Sequence, residues 1–416
     1  MSGRALVVAA HGSHYNSGTA LPAWACVDAI RQRGCFDEVT AAFWKEQPSF
    51  GTVLAGLHSS HVTVVPLFAS EGYFSQTVLP AELQPRPDQT IYITEAVGVS
   101  AFFPEVVATS VESALRAENL GAESVGVVIV GHGTPRHEDS SVTTDQQVER
   151  LRETGRFAEV RAAFLDEAPY IGDIFDATRS ESLVVVPYFI AEGMHTQQDI
   201  PTALGLSPPF YETQTVRGRR VMYTPPVGLH DDLFRVVLRL AGVSPDEKTI
   251  GSVWDGFSAR AAASIGQISL RREGFLCHID DVDTVPDDLS PLNTPAQVRA
   301  WLRFDAEGNY RPLTTATNLP RGWRIPTPDE ARRAAAIETI YPGILTPVEQ
   351  TRSVAEVGAR QKGKYRPVEQ LSPEKISALV ETVCAGCVRH PTWFDGASTE
   401  PGCIEPCSFW LEEAIQ

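Results

Sequence analysis

The chain has 416 residues, 43% of them hydrophobic, with 35 basic residues against 52 acidic ones and a net charge of −17. So large a negative surplus disfavours nucleic acid and anionic membranes as partners, because like charges repel over long range. The longest apolar runs fall far short of the roughly 20 residues that span a bilayer, and seven cysteines, an odd number with four near the C-terminus, do not read as an extracellular disulfide framework.

The opening stretch, Met1-Ser-Gly-Arg-Ala-Leu-Val-Val-Ala-Ala10, is too short to be a secretory leader and runs straight into a His-Gly turn. We read it as the mature N-terminus of a cytoplasmic protein. Residues 5–10 form a continuous apolar run, which predicts a buried parallel strand. A helix is expected over 19–33, ended by Gly34 as its cap. Further strands are expected over 37–43, 61–68 and 90–94, and again over 125–130, 158–164, 182–190 and 219–223. This alternation predicts an α/β fold made of two tandem doubly wound parallel-sheet domains.

The duplication is written in the residues. Ala10-His-Gly-Ser13 recurs as Gly131-His-Gly-Thr134, Val64-Val-Pro66 as Val185-Val-Pro187, Glu71-Gly72 as Glu192-Gly193, and Pro80 as Pro201, all at an offset of 121. Beyond residue 243 the repeat stops, and Val243-Ser-Pro-Asp-Glu-Lys248 reads as a linker. Residues 250–345 mix an apparent helix over 254–266, a strand-like Gln267-Ile-Ser-Leu270 and a solvated acidic loop over 280–288. Thr327-Pro-Asp-Glu330 should then open a helix running to 339. A basic stretch, Arg360–Arg366, precedes a helix capped by Ser372, whose apolar face is Ile376, Leu379, Val380 and Val383. The expected organisation is repeat one over 1–118, repeat two over 119–243, a mixed α/β accessory domain over 244–345 and a small Cys-rich module over 346–416.

The two halves differ at one telling place. Gly193-Met-His195 in the second aligns with Gly72-Tyr-Phe74 in the first, and Asp199 aligns with Val78. His132 and His195 each follow a strand of the same sheet, so both should emerge at its carboxyl edge and face one crevice. Neutral imidazoles suit first-row divalent ions, and two ligands leave most of the coordination sphere open. Glu192, Asp199, and Asp166 or Glu167 are nearby acids.

Ala-His-Gly-Ser after the first strand, Val185-Val-Pro-Tyr-Phe189 leading to Gly193-Met-His195, and Asp199-Ile-Pro201 closing that loop resemble the sirohydrochlorin chelatases. These are the class II, ATP-independent enzymes of the cobaltochelatase and ferrochelatase type. The resemblance covers residues 1–240. It implies insertion of Co²⁺ or Fe²⁺, or Ni²⁺ in close relatives, into sirohydrochlorin for cobalamin or siroheme synthesis. It also implies metal on His132 and His195, with His11 a weaker third candidate because Phe74 stands where its partner belongs. Many two-domain relatives carry the pair in the N-terminal half, so the working half is exchanged here. A base must take protons from the tetrapyrrole nitrogens. Glu192, Glu167, Asp166, Asp199 and the histidines all remain open for that role. Arg136 is a possible contact for the substrate's carboxylates, with Arg217, Arg219 and Arg220 as weaker ones, and the basic stretch Arg360–Arg366 could dock those carboxylates or a partner. Storage or delivery of a metal or tetrapyrrole, or electron transfer on a chelatase scaffold, are the alternative functions.

The second constellation is Cys384-x₂-Cys387-x₁₅-Cys403-x₃-Cys407. Four thiols at this spacing suit a [4Fe–4S] cluster, with Zn²⁺ as the alternative. Zinc ribbons more often use two CxxC knuckles, and Trp393, Phe394, Phe409 and Trp410 would give an iron–sulfur centre an apolar shell. A redox partner is then possible. Cys26, Cys35 and Cys277 read as small buried hydrophobes, and His278 and His390 as bystanders.

Overall fold

The computed structural model describes residues 3–13, 16–133, 141–246, 353–360, 363–384 and 406–416, with short pieces at 263–265, 268–270, 276–278, 295–296, 299 and 341–343. The first half runs β1 (Arg4–Ala10), α1 (Leu21–Arg31), β2 (Glu38–Phe43), β3 (His61–Pro66), α2 (Leu79–Glu82), β4 (Thr90–Ile93) and α3 (Phe103–Glu118). The second runs β5 (Val125–Gly131), α4 (Val142–Glu153), β6 (Glu159–Phe164), α5 (Ile174–Ala177), β7 (Ser182–Pro187), α6 (Ile200–Leu204), β8 (Gln214–Val216), β9 (Arg219–Tyr223) and α7 (Leu233–Leu240).

The first sheet has the parallel order β2-β1-β3-β4, and the second has β6-β5-β7-β9-β8 with β8 antiparallel at its edge. The central strands are apolar on both faces because helices cover both. All seven residues of β5 are buried, and each Val, Leu or Ile so placed contributes about 1.5–3 kcal/mol. On α1, Ala23, Val27 and Ile30 form the buried stripe, and Gly34 at φ +63° ends the turn that follows it. The offset of 121 holds only as far as the second helix. Gly228 stands 130 residues after Gly98, yet each lies where a Cβ would strike the backbone of the matching residue, Ile190 or Ala69. The extra nine residues of the second half surround β8.

The halves exchange their last helices. α3 packs on β7 and α4 of the second half, with Phe103 edge-on to Tyr188 at 5.3 Å. α7 returns to α1 of the first half, where the Arg33 guanidinium lies 3.9 Å over the Phe234 ring. Gln147 donates to the Gly98 carbonyl at 2.8 Å and Arg150 to that of Val99 at 2.7 Å. One continuous core therefore spans both halves.

In the accessory region, β10 (Ala263–Ile265), β11 (Ile268–Leu270) and β12 (Leu276–His278) form an antiparallel sheet. Residues 263–265 are thus strand, not the end of a helix over 254–266. Their backbone pairs with that of 268–270 in an antiparallel ladder, which a helix could not share. The Thr327 helix and the 280–288 acidic loop lie outside the described residues. The fully buried Arg299 pairs with Asp28, and Tyr341 packs edge-on against Trp24 at 5.9 Å. Both contacts brace the outer side of α1.

The C-terminal module holds α8 (Val354–Arg360), a 3₁₀ stretch over Gly363–Gln370, α9 (Pro373–Val383) and α10 (Ser408–Ala414). The Ser372 hydroxyl caps α9 by accepting from the Lys375 amide. Val380 is buried, and Ile376, Leu379 and Val383 join a core centred on Trp410. No described helix is long and apolar enough to cross a membrane.

Candidate functional site

β5 and β7 are neighbours at the point where the strand order reverses, so the loops leaving their carboxyl ends part and open a crevice. The first of these loops presents His132 and the second His195. Their rings stand 4.9 Å apart at 86°, and their side chains are 48% and 45% exposed. They are close to one another and reachable from solvent.

The outer nitrogens are set by the chain itself. His132 Nδ1 lies 2.6 Å from the Gly133 carbonyl. A carbonyl can only accept, so this nitrogen carries the hydrogen and Nε2 keeps its lone pair. His195 Nδ1 meets Asp199 Oδ2 at 2.7 Å, within a π-helical turn over His195–Asp199. A carboxylate on the far nitrogen fixes the ring and makes Nε2 a stronger donor to a metal. Two such imidazoles can hold a divalent ion and leave its other positions open. No group of three or more His, Cys, Asp or Glu placed to hold a metal occurs among the described residues.

Carboxylates surround the pair at several depths. Asp166 Oδ2 lies 3.9 Å from His132 Nδ1. Glu167 lies beneath the His-Gly turn. Gly133 adopts φ +64°, and a Cβ there would meet Glu167 Cγ and Oε1 at 2.7 Å, so glycine is required on both counts. Glu192 accepts from the Tyr211 hydroxyl at 2.6 Å and from Gln197 at 3.2 Å, while its main-chain carbonyl accepts from Asn16 of the first half at 2.7 Å. Asp145 on α4 is the acid that sequence reasoning missed. Partial burial and the negative charges of Glu167 and Glu149 raise its carboxyl above the usual range, against a hydrogen bond from Ser141.

The first half keeps the frame and loses the pair. His11 Nδ1 lies 2.7 Å from the Gly12 carbonyl, and Phe74 takes the second ring's place at 4.7 Å and 89°. Lys45 stands where Asp166 stands in the second half, each amide donating to the carbonyl of its histidine. Burial pushes the His11 ring below its ordinary value; the Gly12 carbonyl opposes this and the Lys45 charge adds to it.

A cleft of about 630 Å³ lies between the halves. Its walls include His11, Lys45, Glu192 and His195, with Lys364 and Tyr365 from the C-terminal module. Arg136 lies outside the described residues. Arg219 and Arg220 open β9 at the amino edge of the sheet and Arg217 lies in the turn just before it; they engage Thr178, Glu118 and Gly172 respectively. A strand's start cannot serve a site at its neighbours' ends, so these three do not face the crevice.

Of the four clustered thiols, Cys387 and Cys403 lie outside the described residues. Cys384 at the end of α9 and Cys407 before α10 both pack against the same small core. Cys407 Sγ accepts from the Trp410 amide at 3.4 Å and so caps the start of α10.

Fold and site together define a tandem doubly wound α/β protein with an imidazole pair at the switch point of its second sheet. The chain belongs to the CbiX family, whose model matches residues 5–114 and again residues 126–242. Residues 250–352 match the DR2241 stabilising domain. A probable sirohydrochlorin cobaltochelatase of Halobacterium salinarum is 41% identical over 221 residues, covering 48% of this chain and 75% of its own. A sirohydrochlorin cobaltochelatase of Methanopyrus kandleri is 39% identical over 88 residues, 20% of this chain and 61% of its own. The crystal structure of DR2241 from Deinococcus radiodurans, a multi-domain protein with structural similarity to chelatases and two additional novel domains, superposes with a TM-score of 0.74. The identity is 24%, over 100% of this chain and 99% of that one; it shows that the fold is shared.

Proposed function

We propose that the protein is a chelatase that inserts a divalent metal, Co²⁺ or Fe²⁺, into a sirohydrochlorin-type tetrapyrrole for cobalamin or siroheme synthesis. The observation that carries this is the His132–His195 pair: two solvent-reachable rings 4.9 Å apart, each held by its Nδ1. Relatives named as cobaltochelatases support the substrate class and favour Co²⁺.

In this reading, His132 and His195 hold the incoming ion through Nε2. Ring nitrogens of the macrocycle replace the ion's remaining ligands while shedding protons. The acceptors at hand are Asp166, Glu167 and Glu192, with Asp145 behind Glu167. Burial and the Glu167 charge raise the Asp145 carboxyl, which makes Asp145 a readier proton acceptor than an ordinary carboxylate. His11, faced by Phe74, does not serve as a metal site.

The C-terminal module would hold a [4Fe–4S] cluster on Cys384, Cys387, Cys403 and Cys407. The packing of Cys384 and Cys407 on one core and the hydrogen bond from the Trp410 amide to Cys407 Sγ support this reading. When bound, the cluster would supply one-electron chemistry. Anaerobic purification and absorbance in the iron–sulfur charge-transfer region decide between iron and Zn²⁺.

The test is a chelation assay with Co²⁺, Fe²⁺ and Ni²⁺ on wild type, His195→Ala and His11→Ala. His195→Ala should abolish insertion and His11→Ala should leave most of it. Equal losses would remove the asymmetry on which the reading stands. Metal binding without accelerated insertion would make the protein a carrier instead.

A further inference from the structure

The differences between the halves at the metal-pair positions do more than leave out ligands. Phe74 takes the place of His195 and Val78 that of Asp199. The third change, Lys45 for Asp166, reverses the charge. The loop that in the second half offers a carboxylate 3.9 Å from a histidine offers an ammonium in the first. At that end of the cleft an ammonium replaces a carboxylate, which shifts the local balance towards anions.

A second lysine reaches the same place from a different part of the chain. Lys364 and Tyr365 of the C-terminal module line the cleft beside His11 and Lys45. The two ammonium groups flank one phenol, Lys364 Nζ 4.9 Å and Lys45 Nζ 5.4 Å from the Tyr365 ring centre. Lys364 donates to Glu412 at 2.7 Å, and so does the Tyr365 hydroxyl at 2.6 Å. Glu412 thereby holds Lys364 in place and offsets part of its charge. Lys45 is half-buried, and burial lowers its pKa, with the nearby Lys364 charge adding to the effect and Glu412 opposing it. Two like charges kept this close in a cleft suit an anionic occupant, which would relieve their repulsion.

We propose that Lys45 and Lys364 form a docking site for carboxylates of the tetrapyrrole, so that the first half and the C-terminal module hold the macrocycle while the second half holds the metal. This rests on the chelatase reading and gives the degenerate repeat a binding role. It also gives the C-terminal module a part in the site that does not depend on what its thiols bind.

The experiment is equilibrium binding of metal-free sirohydrochlorin to the full chain, followed by its absorption spectrum under anaerobic conditions. Wild type is compared with Lys45→Met, Lys364→Met, the double variant and Lys45→Arg, and Co²⁺ binding is titrated separately on each. Each single loss should weaken tetrapyrrole binding several-fold and the double loss about tenfold or more, as for charge pairs that are partly desolvated. Added salt should weaken wild-type binding more than that of the double variant. Lys45→Arg should restore most of the affinity, and Co²⁺ affinity should stay within about twofold throughout, because neither Lys45 nor Lys364 is among the partners that hold His132 and His195. A double variant that binds sirohydrochlorin as wild type does, with or without salt, overturns the proposal and leaves the chelatase reading standing. A wild type that binds Co²⁺ but no sirohydrochlorin overturns both. Should Lys364→Met loosen the C-terminal module, Lys45→Met decides alone, since Lys45 lies on the α/β scaffold.

Discussion

Phe74 stands against His11 as His195 stands against His132: ring centres 4.7 and 4.9 Å apart, planes at 89° and 86°. The scaffold of the first half therefore still presents a second ring at the geometry a metal pair needs, and only the ring's chemistry has changed. Grafting the missing ligands back should rebuild a site. In a His195→Ala background that has lost Co²⁺ binding, Phe74→His with Val78→Asp should restore one Co²⁺ per chain, read from the visible bands of imidazole-bound Co²⁺. Lys45 will weaken it, and adding Lys45→Asp should tighten it about tenfold by turning repulsion into attraction. Absence of any recovered Co²⁺ in the triple graft, in a folded protein, would refute the equivalence of the two positions.

Asp199 touches no metal in this scheme, yet it accepts from His195 Nδ1 at 2.7 Å and so sets which nitrogen faces the crevice. Asp199→Asn keeps the size and offers an amide whose orientation no longer fixes the tautomer. Co²⁺ affinity should fall about 10–100-fold, the usual cost of losing a carboxylate behind a ligating histidine. Calorimetric titration measures it. An unchanged affinity would mean that Asp199 is not orienting the ring.

Much of this was legible in the sequence, for a physical reason. Apolar strands ending in His-Gly turns, repeated at a fixed spacing, by themselves place the histidines on a sheet edge. What escaped was whatever the pattern does not encode. β8 is only three residues, Gln214–Val216, without an apolar face to mark it. The amphipathic stripe of α3 shows that it packs, but not that it packs on β7 of the other half. The β10–β11 pairing was signalled by Gly266-Gln267 between two apolar runs, a hairpin cue outweighed by the alanines before it. Asp145 and Lys45 were hidden because each looks like an ordinary surface charge. The signal for Lys45 was its alignment with Asp166. The basic run Arg360–Arg366 already suggests docking of a partner or of carboxylates, but nothing in the local sequence shows that its Lys364 and Tyr365 enter the same cleft as Lys45.

The His-Gly turn of the second half should tolerate no side chain. Gly133 and Gly155 share φ +64°, but a Cβ on Gly155 meets nothing within 4 Å, whereas one on Gly133 meets Glu167. Gly155→Ala should cost about 1 kcal/mol, the left-handed backbone strain alone. Gly133→Ala should cost more by urea unfolding and should also lower metal insertion, since His132 precedes it. Equal stability losses would show that Glu167 swings aside without consequence.

Glu159 closes the far edge of the second sheet. Its Oε1 accepts from the amides of Arg179 and Ser180 at 2.7 and 2.8 Å and from the Ser180 hydroxyl at 2.8 Å. Glu38 does the same with His58 and Ser59 in the first half. Burial works against the Glu159 charge, but the Ser180 and Arg179 amides, the Ser180 hydroxyl and Arg161 outweigh it, so the carboxyl sits below its ordinary 4.5. A carboxylate whose folded value is depressed binds protons less readily than in the unfolded chain. Its stabilisation is therefore complete above the unfolded value and is lost as pH falls through the folded one. Glu159→Gln keeps the shape and one acceptor but not the charge. Near neutral pH it should cost about 1–2 kcal/mol, the worth of hydrogen bonds to an ionised group less what the amide oxygen retains. As pH drops below 4.5, wild type should lose that advantage and the two unfolding curves should converge. A gap that stays constant across this range would mean that the charge contributes nothing and that the bonds alone hold the Arg179–Ser180 turn in place.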